Sequence, residues 1–488
     1  MATKRAREVG VKKVLGGLKK QLIGQFLLES SLTTVLALML AMVLVVLSLP
    51  YFNLISGKSL QINAVVSPQI LTSIGVFGFL TGILAGAYPA FVMSSFKPIT
   101  ALKDRVFGVG KRQGIRSGLV ILQFAISVTL IIATVIADLQ ISYILNKDLG
   151  YDKDRIVVIR NSWMLGDREL VLKNQLESDS RVSSVTRSGY IPAGDSNTSM
   201  YNIYPDANSD VFRRLNLYHV DHQYLETLGM ELVSGNNFSK DHQSDSSSTI
   251  INETAAHILG LSQDPVGQVI RMAINNEGGK KDLTIIGVVR DFHFNTLYQP
   301  IEPLFMLNNP NSGLIIRAAN SDLSGLIARI KTLWDAFNAG EPFSYTILNE
   351  SYRNTYAAET NLGSVLRVFT VLTIAVALIG LFGLVTFTTE QKVKEIGIRK
   401  VLGSSVTQIV SMLARDFIKL ICISFLAAFP TGLFLAKRWL QDFAYRVDIP
   451  WWVFIMAALV TLIMAMVTIS IKSLKAALAN PVDALRNE

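Results

Sequence analysis

Six long stretches of the chain lack Asp, Glu, Lys and Arg and consist mainly of apolar residues. They cover Ser30–Gly57, Ser59–Phe96, Ser117–Ala137, Val368–Thr389, Leu420–Ala436 and Ile449–Ile471. A helix needs about 20 apolar residues to cross the hydrocarbon core of a bilayer, so each stretch predicts one transmembrane helix. In the second stretch, Pro68 and the polar residues before it place the membrane part between about Gln69 and Met93.

The segment 141–361 has a different pattern, with short apolar runs separated by polar turns. Strands are predicted at Arg155–Arg160, Ser248–Ile251, Leu283–Arg290 and Gly313–Arg317, and helices at Arg168–Ser178, Asn252–Leu261 and Leu323–Asn338. An α/β or α+β domain of about 220 residues follows, which is large enough for its own core. The single cysteine, Cys422, lies in a predicted span, so no disulfide within the chain supports this domain.

The charge distribution predicts the topology. The chain carries a net charge of +9, but the part from Lys147 to Glu359 has 19 basic and 26 acidic residues, a balance of −7 that leaves +16 for the rest. Basic clusters lie at 4–20, 97–116 and 392–400, on one side of the membrane if six spans are threaded in order. Because short basic loops stay in the cytoplasm, both termini are expected there and 141–361 outside. Charges that flank spans argue against a nucleic-acid partner.

An internal repeat organises the chain. Residues 4–23 (KRAREVGVKKVLGGLKKQLI) match 391–410 (QKVKEIGIRKVLGSSVTQIV) at an offset of 387 positions. The identical pairs are Glu8 and Glu395, Gly10 and Gly397, Lys13 and Lys400, Val14 and Val401, Leu15 and Leu402, Gly16 and Gly403, and Gln21 and Gln408. Each copy precedes two spans and a second echo, FKPITALK at 96–103 and ANPVDALR at 479–486. This arrangement indicates a parallel duplication of a membrane module.

The repeat predicts the following division. Residues 1–20 and 390–410 are the two cytoplasmic motifs, 21–116 is the first membrane module with spans at about 30–52 and 69–93, 117–140 is the third span, 141–361 is the outer domain, 362–389 is the fourth span, 411–475 holds the last two spans, and 476–488 is a cytoplasmic tail. The second copy follows a span and an outer domain, whereas the first begins at Met1. We interpret this as a truncation, with a genuinely shortened protein as the alternative.

The motif itself predicts a short amphipathic helix over Lys392–Gly403, with apolar residues on one face and charged residues on the other. Gly403 fits a helix C-terminus at positive φ, and Ser405 and Gln408 form a capping box for the next helix. Gly397 costs about 1 kcal/mol relative to Ala in a helix, which indicates close packing. The element is suited to contact with a soluble partner; the alternative is a helix that only lies on anionic lipid.

The phrases KEIGIRKVLGSS, REVGVKKVLGG and GVVRDFHF and the two proline-containing echoes resemble the MacB/FtsX-like permeases of ABC transporters, in particular the doubled permeases of Bacteroidetes-type bacteria. The resemblance implies an α-helical membrane protein of the bacterial inner membrane, with six transmembrane helices in two related modules and one MacB-type periplasmic domain. It implies a partner ABC ATPase, in two copies, beside membrane lipids and a periplasmic adaptor or outer-membrane channel. It implies no catalytic residue, metal or cofactor in this chain.

Carried over by position, the resemblance also assigns the residues that contact the ATPase. They are Glu8, Gly10, Lys13, Gly16, Glu395, Gly397, Lys400 and Gly403. ATP-driven movement of these motifs would change the arrangement of the outer domain, for efflux or for mechanotransmission.

Other candidate sites are weaker. Gly57-Lys58-Ser59 resembles the end of a phosphate-binding loop, but the required first glycine is Phe52. The HVDH sequence at 219–222 favours a hydrogen-bonded role over metal binding, and Asp291 and His293 favour a strand end over catalysis. Gln123, Glu29, Asp138 and Asp416 are polar residues within or beside spans, and Gly75, Gly78, Gly82 and Gly86 predict helix packing.

Two other functions remain open at this point. A signalling or division regulator could use the same mechanics to activate an extracytoplasmic partner without transport. A proton- or ion-coupled transporter is disfavoured, because the spans lack paired charges and broken helices.

Overall fold

The computed structural model describes residues 12–16, 18–94, 109–192, 198–206, 209–240, 246–261, 263–274, 279–311, 313–337, 340 and 342–478. The chain forms two compact units. The membrane unit comprises 1–137, 360–436 and 449–488, and the outer unit comprises 138–359 and 437–448. Glu8 and Gly10 of the first motif, and both proline-containing echoes, lie outside the described residues.

The α-helices follow in chain order within the described residues. They are α1 (Lys19–Ser56), α2 (Ile62–Val65), α3 (Pro68–Ser94), α4 (Val109–Asn146), α5 (Arg168–Glu177), α6 (Tyr224–Leu228), α7 (Glu253–Ile258), α8 (Leu323–Ala336), α9 (Leu348–Thr355), α10 (Ala357–Gln391), α11 (Val393–Val401), α12 (Val406–Leu440) and α13 (Trp452–Leu478).

Six of these helices are long and apolar enough to cross a membrane, in the part of the chain that the structure describes: α1, α3, α4, α10, α12 and α13. This confirms the six predicted spans. The second span begins at Pro68, next to the start at about Gln69 that the proline and the polar residues before it predicted. Several helices exceed the length of about 20 residues that the hydrocarbon core needs, so their ends extend into the polar regions.

Helices α1 and α3 pack through small residues. Gly86 faces Ser30, and Gly82 faces Ser31. A Cβ atom at Gly86 would lie 2.9 Å from the Ser30 Cβ, closer than side-chain carbons approach one another. The two backbones can therefore lie side by side only because these positions are glycine. Gly82 and Gly86 thus have the predicted packing role.

The other four spanning helices share a buried apolar core. Its members include Phe124 of α4, Leu381 of α10, Ile421 of α12 and Ala465 of α13. A buried hydrogen bond of 2.8 Å joins the hydroxyls of Thr134 and Thr370. Because each hydroxyl has a hydrogen-bond partner, the pair connects α4 and α10 without leaving an unpaired polar group in the bilayer.

The strands lie in the outer unit. They are β1 (Ile156–Ile159), β2 (Val182–Arg187), β3 (Ser199–Tyr204), β4 (Arg213–Val220), β5 (Leu232–Gly235), β6 (Ser248–Asn252), β7 (Val269–Ala273), β8 (Lys280–Val289), β9 (Leu304–Asn308), β10 (Leu314–Ala318) and β11 (Thr346–Ile347). One sheet has the order β11-β1-β10-β2, and the other has the order β5-β8-β6-β9-β4-β3-β7. Because β7 also pairs with β8, the larger sheet curls back on itself.

The four-stranded sheet is covered by helices α5 and α8. Leu172 of α5 and Trp334 of α8 are buried against Val157 and Ile316 of the sheet. All four strands and three helices predicted for this domain are present, with ends that differ by at most three residues. The sheet-and-helix mixture confirms the predicted α/β (α+β) class.

The HVDH sequence contributes a buried hydrogen-bonded aspartate. Asp221 accepts hydrogen bonds from the Thr186 hydroxyl and from the backbone N–H groups of Arg187 and Gln223. The ammonium group of Lys173 lies 3.4 Å from its carboxylate. Asp221 therefore joins β2 to the end of β4, because a buried carboxylate must be paired or hydrogen-bonded.

Asp291, at the end of β8, caps helix α7. Its carboxylate accepts hydrogen bonds from the backbone N–H and the hydroxyl of Thr254. The neighbouring Phe292 and Phe294 are fully buried in the core of the outer unit. The DFHF sequence is thus a structural element that follows a strand end.

Candidate functional site

The second copy of the repeated motif forms the short helix α11. Its apolar residue Ile396 is buried against Ile409 and Leu413 of α12, and the adjacent Gly397 is also buried. Glu395 and Arg399 point away from this contact and form an exposed ion pair of 2.9 Å. The helix therefore has one face fixed to the membrane unit and one charged face available to a partner.

A tight corner ends this helix at Gly403, which has a φ of +90°. The Gly403 N–H donates to the Lys400 carbonyl at 3.1 Å, and the Ser404 N–H donates to the Arg399 carbonyl at 2.9 Å. These two bonds are those of a Schellman motif. The predicted C-terminal role of Gly403 is confirmed, and a side chain there would strain the backbone.

The corner leads directly into helix α12 through the predicted capping box. The Gln408 side chain accepts from the Ser405 N–H at 3.0 Å, and the Ser405 hydroxyl accepts from the Gln408 N–H at 3.3 Å. An ion pair of 3.2 Å between Lys392 and Asp416 also connects the start of the motif to α12. Hydrogen bonds, an ion pair and apolar contacts thus fix α11 to the base of the spanning helix.

The first copy repeats part of this geometry. Gly16 has a φ of +93°, and its N–H donates to the Lys13 carbonyl at 3.1 Å, as in the second copy. The Gln21 side chain accepts from the Leu18 N–H at 3.1 Å. Leu18 stands where the second copy has Ser405, so the reciprocal bond of the capping box is lost. Lys13 and Gly16 are the only proposed contact residues of this copy among the described residues.

At its other end, helix α12 enters the segment 437–448, which belongs to the outer unit and forms a loop after the helix ends at Leu440. Phe443 of this loop is 2% exposed and stacks on Tyr298 with ring centres 4.5 Å apart. The Gln140 side chain donates to the Tyr445 carbonyl at 3.0 Å and accepts from the Val447 N–H at 2.9 Å. The loop is therefore part of the folded core of that unit.

Tyr445 also contacts a buried histidine. Its ring meets that of His293 edge to face at 4.6 Å, and the Lys147 ammonium lies 5.0 Å from the centre of the Tyr445 ring. Burial lowers the pKa of His293 to about 4, and the nearby positive charge of Lys147 adds to the effect. His293 is therefore neutral near pH 7.

Tyr298 is held in the same place by Glu359, whose carboxylate accepts a hydrogen bond from the tyrosine hydroxyl. Burial and this carboxylate raise the pKa of Tyr298. Tyr298 is therefore uncharged where Phe443 stacks on it.

Local sequence patterns predict α11, its corner and its cap, but not the contacts of the loop. Phe443 and Tyr445 stand between two charge-free stretches in a region with no periodic pattern. Their partners Tyr298 and His293 are well over 100 residues away in the chain. In the sequence, only the two aromatic residues Trp439 and Phe443, four positions apart, indicate packing in this region.

Comparison with known families accounts for both units. The family described as FtsX-like permease C-terminal matches residues 1–98 and 367–481. The family described as MacB-like periplasmic core domain matches residues 117–333. The first family matches two separate segments, one for each copy of the repeated motif, which supports the duplication.

Two curated relatives are similar to parts of the chain. The Macrolide export ATP-binding/permease protein MacB of Bdellovibrio bacteriovorus is 36% identical over 102 residues, covering 21% of this chain and 15% of the relative. The protein of the same description from Aggregatibacter actinomycetemcomitans is 22% identical over 322 residues, covering 63% of this chain and 48% of the relative. The chain thus spans half or less of the length of these relatives.

Two solved structures are similar to part of the chain. The periplasmic region of MacB from Actinobacillus actinomycetemcomitans has 16% identity and a TM-score of 0.31, and the match covers 43% of this chain and 96% of that one. A domain of a putative permease from Porphyromonas gingivalis has 15% identity and a TM-score of 0.28, with 40% of this chain and 91% of that chain covered. The two family matches together account for most of the membrane unit and most of the outer unit, and the chain belongs to the MacB/FtsX-like family of ABC transporter permeases.

Proposed function

We propose that this chain is the permease subunit of an ABC complex and that it couples ATP hydrolysis by a partner ATPase to a conformational change of its extracytoplasmic domain. The motif helices would contact two ATPase subunits in the cytoplasm, and both termini would lie on that side. The outer unit would act on molecules or partner proteins outside the membrane, in efflux or in mechanotransmission.

The observation that supports this proposal is the way in which the second copy of the motif is attached to helix α12. Helix α11 has a free charged face with Glu395 and Arg399, and its other face is fixed to the base of α12. Helix α12 extends from Val406 to Leu440, with Pro430 in its interior. It ends in the loop whose Phe443 is buried in the outer unit. A displacement of α11 therefore has a continuous helix and a folded receiver along its path.

The test uses an exchange of the exposed ion pair on α11. The double variant Glu395→Arg/Arg399→Glu keeps an i,i+4 pair on the helix, so the helix itself is retained, but the two charges that a partner meets change places. We expect ATPase activity that co-purifies with the tagged chain to fall at least about tenfold, since misplaced interfacial charges cost more than ~1.4 kcal/mol.

A matched control is available on the outer unit. Lys331 and Asp335 of α8 form an exposed i,i+4 pair of 2.6 Å, and Lys331→Asp/Asp335→Lys should leave the co-purified ATPase activity unchanged. Equal activity in the α11 variant, the control and the unmodified protein would reject the contact assignment.

A further inference from the structure

The spanning helix α4 carries an amide side chain, Gln123, in its apolar part. Gln123 lies seven residues after Arg116, the last charged residue before the span, which corresponds to about 10 Å along a helix. Glutamine lacks the long apolar stem with which Lys and Arg reach the membrane surface from such a depth. Its amide therefore lies in the hydrocarbon region, where a polar group needs a hydrogen-bond partner.

The structure makes room for this amide but supplies no partner for it. A Cβ atom at Gly380 of α10 would lie 2.8 Å from Oε1 of Gln123, so the glycine leaves the space that the amide occupies. The Gln123 backbone carbonyl accepts a hydrogen bond from Ser127. Among the described residues, however, no group hydrogen-bonds to the side-chain amide. Its two N–H donors and its oxygen are therefore available to another molecule.

The amide belongs to an exposed apolar surface of α4 and α10. On α4, Leu119 and Ile126, one turn to either side of Gln123, are exposed. On α10, Ile379 is exposed, and a Cβ atom at Gly383 would meet nothing within 4 Å. Other faces of the two helices form the shared core of the membrane unit. One side of this helix pair is therefore uncovered in a single chain.

The sequence of α4 matches the pattern by which parallel helices pack on one another. Leu119, Gln123, Ile126 and Leu130 follow at intervals of four, three and four residues. This is the spacing of a heptad seam, in which a single polar residue fixes the register and the number of helices. Two copies in one membrane have the same orientation, so their α4 helices are parallel. A two-fold axis along the membrane normal would then bring each residue of the seam opposite its own counterpart.

We propose that two copies of this chain associate through this surface, with the side-chain amides of their Gln123 residues hydrogen-bonded to each other at its centre. An amide both donates and accepts, so two of them facing each other are complementary. The heptad seam is complementary to itself in the same way. A lipid tail on this surface would leave the amide unpaired, which is unfavourable. The exposed glycines of α10 allow the close approach that packing between spanning helices requires.

The test measures dimerisation of the full chain in phosphatidylcholine vesicles by counting the photobleaching steps of a fluorescent tag at graded ratios of protein to lipid. Gln123→Leu keeps the size of the side chain and removes the amide, so it should weaken dimerisation about tenfold. The control Thr431→Val, at an exposed position of α12, removes a hydroxyl that donates to the Ala427 carbonyl of its own helix at 2.8 Å. It should change dimerisation less than about twofold.

Cysteine crosslinking locates the contact. In a Cys422→Ser background, Ile126→Cys should give a disulfide-linked dimer on oxidation with copper phenanthroline, because it lies one turn from Gln123 on the seam. Ile463→Cys, at an exposed position of α13, should give little. Monomers at every protein density, equal dimerisation of Gln123→Leu and the unmodified chain, or equal crosslinking of the two cysteine variants would overturn the proposal. No ATPase is present in these measurements, so a failure here leaves the proposed ATPase contact standing.

Discussion

The two copies of the repeated module differ most at the loops that follow their first spans. In the first copy, α1 ends at Gly57, and the Asn53 side chain closes the turn with hydrogen bonds of 2.9 and 3.0 Å to the Leu60 carbonyl and N–H. In the second copy, the corresponding helix α12 leads into a loop whose Phe443 and Tyr445 pack within the outer unit. The first loop is closed by a side chain of its own helix, and the second is part of a folded domain.

The copies also differ in how their helices are fixed. In the most apolar part of α1, 6% of the residues are buried, against 22% in α12 and 44% in α4. The motif of the second copy has a complete capping box, whereas the first retains only the bond from Leu18 to Gln21. In the second copy, α12 thus joins the motif helix to a segment of the outer unit, whereas the first copy is held mainly by the contact of α1 with α3.

The largest expected difference between the copies concerns the loop aromatic residues. Phe443→Ala should lower the free energy of unfolding of the outer unit by about 3–5 kcal/mol, because a fully buried ring is lost. Tyr51→Ala near the first-copy loop, where the side chain is 71% exposed, should cost less than about 1 kcal/mol. Denaturant titration followed by hydrogen exchange checks both, and equal losses would remove the distinction between the loops.

Acid should loosen the second-copy loop. The pKa of His293 is about 4 in the folded protein and about 6.5 in an unfolded chain. Between these values the unfolded state binds more protons, so the stability that neutral His293 provides is present above about pH 6.5 and is lost as the pH falls towards 4. The loss amounts to at most about 3 kcal/mol.

Hydrogen exchange at the loop amides between pH 7 and 4 measures this effect. The variant His293→Gln should flatten the pH dependence, while His257→Gln, at an exposed position, should retain it. A pH profile that is the same in all three proteins would show that His293 does not control the loop.

In the first copy, helix contact should depend on small residues. Gly86→Leu should cost about 1–3 kcal/mol by overpacking, because Ser30 lies against the position of the new side chain. Disulfide formation between Ser31→Cys and Gly82→Cys, in a Cys422→Ser background, reports the contact. Gly75→Leu, where nothing lies within 4 Å, is the control, and similar crosslinking yields in both variants would contradict the packing assignment.

The smallest effect concerns the caps. Ser405→Ala should destabilise the start of α12 by about 1 kcal/mol, and Leu18→Ser should stabilise the start of α1 by a similar amount. Exchange of the Gln408 and Gln21 amides would then change about fivefold in opposite directions. Changes of the same sign would show that the difference between the caps is not what separates the two motifs.

The parts of this architecture that depend on residues close together in the sequence were predictable. The spans, the Gly403 corner and the Ser405 cap depend on residues close in sequence, and the structure confirms them. Strands such as β3, Ser199–Tyr204, were missed because most of their side chains are only partly buried and their apolar pattern is weak. The stacking of Phe443 on Tyr298 depends on a long-range contact, and no spacing of residues within one segment encodes it.

The candidate site also has some features that local sequence predicts and others that depend on long-range contacts. The repeat and the family resemblance predict Glu395, Gly397 and Gly403 as candidate contact residues from sequence alone, but the ion pair between Lys392 and Asp416 required the fold. In the sequence, Asp416 was one of several polar residues near spans. Its role in fixing the motif helix to α12 follows only from the corner that brings the two segments together.

The most direct test of the account is an ATP-dependent signal from the second-copy loop. An environment-sensitive fluorophore on Ala444→Cys, an exposed loop position, in a Cys422→Ser background would be followed in the complex with the ATPase as Mg-ATP is added. We predict a change in emission in the otherwise unmodified chain and its loss in the Glu395→Arg/Arg399→Glu variant. An ATP-dependent change of equal size in both proteins would contradict coupling through the second motif.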